Sequence, residues 1–347
     1  MTNAFTSSGL FGQVFCDPAV AAQFGADAVL RHMLAFELAW TTALREEGLV
    51  APAAAEQALA AIAGFSGHDL GAGSDRDGLP VPALVAALRS GLPASVAQAI
   101  HSGATSQDVL DTAMVLACLA VLDLFDSRLT DVIGRIDDLD GRFGRRPLTA
   151  RTRMQAALPA TVSLRLGAWR QALAGHQERL GPLRHDLGHV QVGGAIGLRE
   201  GLGDALATHV ARALGLQAGP VWHTDRSRFV ALGHWFVLLC GTLGKIGQDV
   251  ALMAQQGLDE ITLAGGGGSS AMAHKQNPIA AEAMVALARF TAGQQGVLSQ
   301  AMVHEQERSG AAWALEWLTV PAMAEATGAA LRHADRLLGS VSGIGTT

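Results

Sequence analysis

Between Asp27 and Glu47 the apolar residues Val29, Met33, Phe36, Trp40 and Leu44 recur at steps of three or four, tracing one face of a helix. Shorter helical patterns follow near 53–63 and 81–90. Residues 91–108, GLPASVAQAIHSGATSQD, bring Gly, Pro and Ser together and predict a loop holding a short helix. Beyond it lie longer patterns near 108–143, 159–190, 224–258, 278–307 and 312–340, each on the order of 40–50 Å if continuous. Glycines in QVGGAIGLREGLGD interrupt them between 190 and 222, and DALATHVARALGL resumes the helical pattern briefly. No convincing period-two alternation marks a strand, and no short-period repeat is present. The pattern predicts an all-α bundle of long helices. These are Ala-rich and apolar on more than one side, as expected where bundles pack together in an oligomer.

Composition supports that expectation. Charged residues make up 16% of the 347, against about 25% in soluble domains, so the chain is expected to bury surface against copies of itself. The net charge of −6 and the lack of Lys/Arg clusters argue against a nucleic-acid partner. An anionic ligand would need a few locally concentrated cations. Cys16, Cys118 and Cys240 form neither a disulfide framework nor a zinc pattern, which suits a reducing compartment. HEQER (304–308) is not HExxH, and no other spacing suggests a metal site. The N-terminus lacks the pattern of a signal peptide, and apolar runs such as FVLLC (236–240) are far short of a membrane span. A soluble cytoplasmic protein without a cofactor is expected.

Periodicity alone would equally suit a helical scaffold or interaction protein. The loops favour chemistry. In AGGGGSSAMAHKQNPIAAE (264–282) four glycines permit wide backbone excursions. Asn277 is suited to cap a helix, Pro278 to its first position, and Glu282 to its first turns. A mobile loop thus leads into a rigid helix start, with Ser269, Ser270 and Lys275 between. A hydroxyl acts as base or acid only if its charged form is stabilised, which an ammonium and helix N-terminal amides can do. A disordered Gly/Ser linker is the plainer reading, but HKQNP argues against it. A phosphate loop is excluded, since GxxxxGK[ST] is absent.

GSSAMAHKQNP resembles the signature loop of the fumarase/aspartase superfamily, GSSxMPxKxNP. HSGATSQDVLDTA (101–113) resembles its second block and ARTRMQAALPAT (150–161) its third, in the expected order over about two thirds of the chain. QDVALMAQQGLDEI before the loop and HEQERSGAAWALEW (304–317) after it are most similar to the 3-carboxy-cis,cis-muconate cycloisomerases of that superfamily. The resemblance implies a homotetramer with a twenty-helix core, and active sites each built from three subunits. It implies a tricarboxylate substrate lactonised in protocatechuate catabolism. An N-terminal helical domain over 1–107 and a central long-helix domain over 108–347 are expected, without the small C-terminal domain of longer relatives.

Carried over by position, Ser269 is the residue expected to exchange the carbon-bound proton, and Ser270 to donate to a carboxylate. Lys275 and Asn277 are charge stabilisers and ligands. Thr105 and Ser106 match the carboxylate-binding pair, although either could instead cap the following helix. His101 is a candidate for acid/base duty or ligation, with a structural role equally open. Arg151, Thr152 and Gln155 match the third block. Arg308 aligns with an arginine expected to grip a carboxylate bidentately; a salt bridge to Glu305 or Glu307 is its plainer alternative.

Arg153 stands where many members have a histidine that pairs with the residue matched by Glu282. Arginine cannot relay protons at neutral pH, so Arg153 is expected to pair with Glu282 or hold a third carboxylate. Ala273 replaces the signature proline. Alternatives are another lyase of the superfamily, such as one for adenylosuccinate, or an inactive helical tetramer.

Overall fold

The computed structural model describes residues 9–67, 70–199, 203–265, 267–268, 272 and 276–346. Helices α1 (Gly12–Phe15) and α2 (Pro18–Ala21) lead into α3 (Ala26–Glu46), which buries the predicted Met33, Phe36, Trp40 and Leu44. Next come α4 (Pro52–Ala63), α5 (Gly71–Asp77), α6 (Val81–Arg89) and the short α7 (Ala94–Ala99). The long helices are α8 (Ser106–Phe143), α9 (Val162–Glu178), α12 (Ser227–Met253), α13 (Ile279–Gln300) and α14 (Gly310–Gly339). Two shorter ones, α10 (Leu180–Leu187) and α11 (Gly203–Leu214), lie between. The pattern at 159–190 is thus split at Arg179 into α9 and α10.

The long helices share one core, in which Phe125 stacks on Trp235 and meets Phe236 edge-on. Glycines let α12 and α13 approach closely: a Cβ on Gly247 would lie 2.6 Å from Ala281 O, and one on Gly244 2.6 Å from Ala288 Cβ. Among the described residues α12 is long and apolar enough, by length and composition, to cross a membrane. No short apolar run revealed this, because the property is spread over the whole helix. Here α12 packs against α9, α10, α13 and α14. A second core joins α3, α4, α6 and α7 to the start of α8 and to α11.

Strands are present, contrary to the sequence expectation. β1 (Pro147–Thr152) pairs antiparallel with β2 (Gln155–Thr161), and β3 (Ile261–Leu263) with β4 (Val341–Ile344). The first hairpin escaped detection because nearly all of β2 is exposed, so no apolar face alternates. The second pair is too short to carry a period. The turn of the first hairpin places Arg153 (φ 49) and Met154 (φ 67) in the left-handed region. Two-residue turns of this kind favour Asn-Gly, so an Arg-Met tip is strained.

Candidate functional site

The start of α8 is fixed by its own side chains. Thr105 is the N-cap and forms a capping box with Asp108, whose Oδ2 accepts from Thr105 N at 3.0 Å. Asp108 also accepts from Gly193 N at 2.7 Å and Gly194 N at 3.1 Å, tying the glycine-rich 192–197 segment to the helix. Burial pushes its carboxyl up to about 7, against the pull of these three amides. One turn further, Asp111 and Glu316 clamp the fully buried Arg226 from two sides, at 2.5–2.9 Å. Trp313 Nε1 donates to the same Asp111 at 2.8 Å, so Trp313 does more than fill core. Burial pushes Glu316 up to about 7.

This buried network orients the layer above it. Gln107 Nε2 donates to Asp111 Oδ2 at 3.0 Å and His223 O at 2.6 Å, which turns Gln107 Oε1 outward. There it accepts from Arg308 Nε at 3.0 Å. Arg308 Nη2 donates to Thr105 Oγ1 at 3.1 Å and Ala195 O at 3.2 Å, and lies 3.2 Å from His223 Nε2. Thr105 therefore caps α8 and contacts Arg308 at once. The alternative salt bridge from Arg308 to Glu305 or Glu307 is not formed; all its partners here are neutral. It makes no ion pair with a protein carboxylate, which leaves its guanidinium available to an anionic ligand.

The same cluster is one acceptor short. Gln191 Oε1 accepts from Trp222 N at 3.2 Å, so its Nε2 faces His223 Nδ1 at 3.1 Å. Burial first, then Arg308, push His223 down to about 4 and keep it neutral. A neutral imidazole accepts at one nitrogen only, yet donors face both. Flipping the Gln191 amide only moves the conflict to Trp222 N. A carboxylate between Arg308 and His223 would relieve it.

Four residues before Thr105, His101 sits at φ 56 with Nδ1 2.6 Å from Oε1 of the buried Glu37. Ser106, half-buried, opens α8. At the opposite end of α8, Arg151 is ion-paired through Nη1 to Glu260 Oε1, with Arg165 3.7 Å from the other oxygen. Arg151 thus contacts a protein carboxylate within the chain. Thr152 and Gln155 flank the hairpin tip as register partners. Arg153, Arg165, Asp249 and Glu260 line a hollow of about 670 Å³. The expected pairing of Arg153 with Glu282 is not formed within one chain.

Ser269, Ser270, Ala273 and Lys275 lie outside the described residues. Asn277 exchanges two backbone hydrogen bonds with Gly267, each 2.9 Å, closing the neck of the signature loop. It does not cap the helix as expected. Pro278, with ψ 61, is outside the helical range and is itself the N-cap, so α13 begins one residue later than expected at Ile279, while Glu282 lies in the first turn.

The 38 residues of α8 span about 57 Å, and α13 about 33 Å. His101, Thr105 and Arg308 lie at one end of these helices, and the hairpin and Asn277 at the other. One chain does not bring the blocks together. His223, Gln107, Gln191 and Glu37 were missed from sequence. His223, in VWHTDRSR before a long helix, had a detectable signal, a polar run in an apolar chain; Glu37, inside a regular helical face, had none.

A family model described as Lyase matches residues 18–293. The chain is 34% identical over 341 residues to a 3-carboxy-cis,cis-muconate cycloisomerase of Pseudomonas putida, covering 94% of this chain and 80% of that one. A 3-carboxy-cis,cis-muconate cycloisomerase of Pseudomonas aeruginosa is 35% identical over 343 residues, covering 95% and 74%. The crystal structure of the 3-carboxy-cis,cis-muconate lactonizing enzyme from Pseudomonas putida matches with a TM-score of 0.87 and 32% identity, over 96% of this chain and 77% of that one.

Proposed function

This chain belongs to the lyase family, and from that premise we propose that it lactonises 3-carboxy-cis,cis-muconate as a homotetrameric cycloisomerase. The carrying observation is Arg308, a cation held by neutral groups alone beside the acceptor-poor His223. One substrate carboxylate binds there, with Thr105 and Ser106 beside it. A second carboxylate oxygen adds to one carbon of a C=C bond, whose π bond breaks. Its electron pair moves to the carbon α to another carboxylate, forming an aci-carboxylate that takes a proton from Ser269 or His101. Lys275, Asn277 and Ser270 stabilise the charge that develops. The hairpin with Arg151, Thr152, Arg153 and Gln155 contributes from a different subunit, because about 57 Å of α8 separates it from Thr105 in one chain. The twenty-helix core of the superfamily would supply that arrangement.

The test is loss of the ultraviolet absorbance of 3-carboxy-cis,cis-muconate, with fumarate, adenylosuccinate and argininosuccinate as comparison substrates. Turnover of the tricarboxylate is expected. Turnover of adenylosuccinate without it would replace this reading with the lyase alternative, and no turnover at all would favour an inactive helical tetramer.

A further inference from the structure

Glu37 lies on α3, inside a helical face that the hydrophobic pattern assigns entirely to core. Its side chain has no exposed surface, yet it is a carboxylate among Phe36, Trp40 and Met33. Burying a carboxylate this deeply is unfavourable unless a partner compensates. Its partner is His101, whose Nδ1 lies 2.6 Å from Oε1, while Oε2 has no hydrogen-bond partner. A residue serving stability alone would be better replaced by an apolar side chain.

The loop around His101 is built to hold the ring in place. Trp40 Nε1 donates to Ser102 O at 2.9 Å, and Arg89 Nη2 to Ile100 O at 2.6 Å, so α3 and α6 grip the backbone on both sides of His101. His101 itself takes φ 56, in the left-handed region that few residues other than glycine occupy. With Nδ1 directed at Glu37, Nε2 is left without a protein partner among the described residues, and the side chain is 13% exposed. The charged groups around the loop are Glu37 from α3, Arg89 from α6, Asp108 from α8 on Thr105 N, and Arg308 on Thr105 Oγ1.

We propose that Glu37 is a positioning residue that presents His101 Nε2 as the acid that protonates carbon in the lactonisation. The inference rests on the cycloisomerase reading. Arg153, at the position of the superfamily histidine, cannot release a proton. A serine donor would be left as an alkoxide, whereas an imidazolium beside a buried carboxylate is a competent acid. In the step, a carboxylate C–O bond forms on one alkene carbon and the C=C π bond breaks. The electron pair on the α carbon takes the Nε2 proton, and the neutral imidazole regains a proton from solvent after product leaves.

Glu37→Gln keeps the shape and removes the charge. With the tetramer intact, it should lower kcat roughly 10²-fold with KM little changed. The pH limb on which the acid must stay protonated should move to lower pH, and Glu37→Asp should recover part of the rate. Histidine ¹⁵N shifts, read without turnover, should show the His101 ring less protonated in Glu37→Gln than in the parent at the same pH. A parent-like kcat and pH profile, or a loss of Tm with an unmoved pH profile and identical ring spectra, would overturn the proposal. Failure of the parent to turn over the tricarboxylate would instead remove the cycloisomerase reading, leaving the Glu37–His101 pair to be judged on its spectrum.

Discussion

Arg308 Nη2 and His223 Nε2 lie 3.2 Å apart, a guanidinium facing a buried ring nitrogen. The contact is tolerable because the imidazole is neutral: burial, and then Arg308, push it down to about 4. In the unfolded chain a histidine titrates near 6.5. Between those values the unfolded state binds the extra proton at this ring, so the contribution of His223 to stability falls as pH falls from about 6.5 to about 4. The full effect is on the order of 3 kcal/mol. Asp108 and Glu316, pushed up to about 7, act in the opposite sense over the same window, so the slope should appear as the difference between the parent and His223→Gln in denaturant unfolding at stepped pH. An unchanged slope in the variant would mean that His223 is not held neutral by the fold.

Arg308 itself should be removable without unfolding the protein, since it makes no ion pair and its partners are neutral. Arg308→Lys keeps the charge but loses the planar fork that grips a carboxylate. A loss in kcat/KM of about 10²–10³-fold is expected, equivalent to about 3–4 kcal/mol, with Tm within a few degrees of the parent. Steady-state kinetics with the tricarboxylate, alongside thermal unfolding, would check both halves. A large drop in Tm would recast Arg308 as a structural residue.

The helical fold is legible because its signal is periodic: the pattern over 108–143 corresponds to the helix Ser106–Phe143, and that over Asp27–Glu47 to Ala26–Glu46. What failed was whatever lacks a period. β2 is exposed on both faces and β3 is three residues long, so neither leaves an alternating trace. Thr105 and Arg308 were marked as site residues by motif, and they meet. Gln107, Gln191 and His223 were not marked, because their role arises from contacts spanning 31 to 201 residues along the chain. Glu37 is the sharper case. A single acid on an apolar helical face carries no local sign of the histidine 64 positions away. That Arg151 contacts Glu260 could not be read either, since β1 meets the base of the signature loop only through tertiary packing.

Beneath the Arg308 cluster, Arg226 is completely buried between Asp111 and Glu316. Removing its charge leaves two buried carboxylates unpaired, one of which, Asp111, accepts from Gln107 Nε2. Arg226→Met should cost about 3–5 kcal/mol, the usual range for breaking a buried pair from one side. Guanidinium titration would read it as a shifted midpoint at constant m. Because Glu316 is already pushed up to about 7 by burial, the variant should recover part of its stability at acid pH, where protonation removes the orphaned charge. A uniform loss at all pH values would show that packing, not charge, dominates at this position.

The separation of the blocks along α8 makes a prediction about mixed assemblies. Thr105 and Arg308 lie at one end, and Arg153, on the strained hairpin tip, about 57 Å away at the other. If each active site draws these residues from different subunits, Arg308→Met and Arg153→Met are both inactive alone yet complement each other. In randomly mixed tetramers about a quarter of the sites receive intact residues from both contributing chains. Co-refolding equal amounts of the two variants should therefore restore about a quarter of the parent activity, and separating the species should place that activity in tetramers containing both chains. A site built within one chain would gain nothing from mixing, because every subunit would carry one defect. Absence of recovery in tetramers shown to be mixed would rule out the shared site.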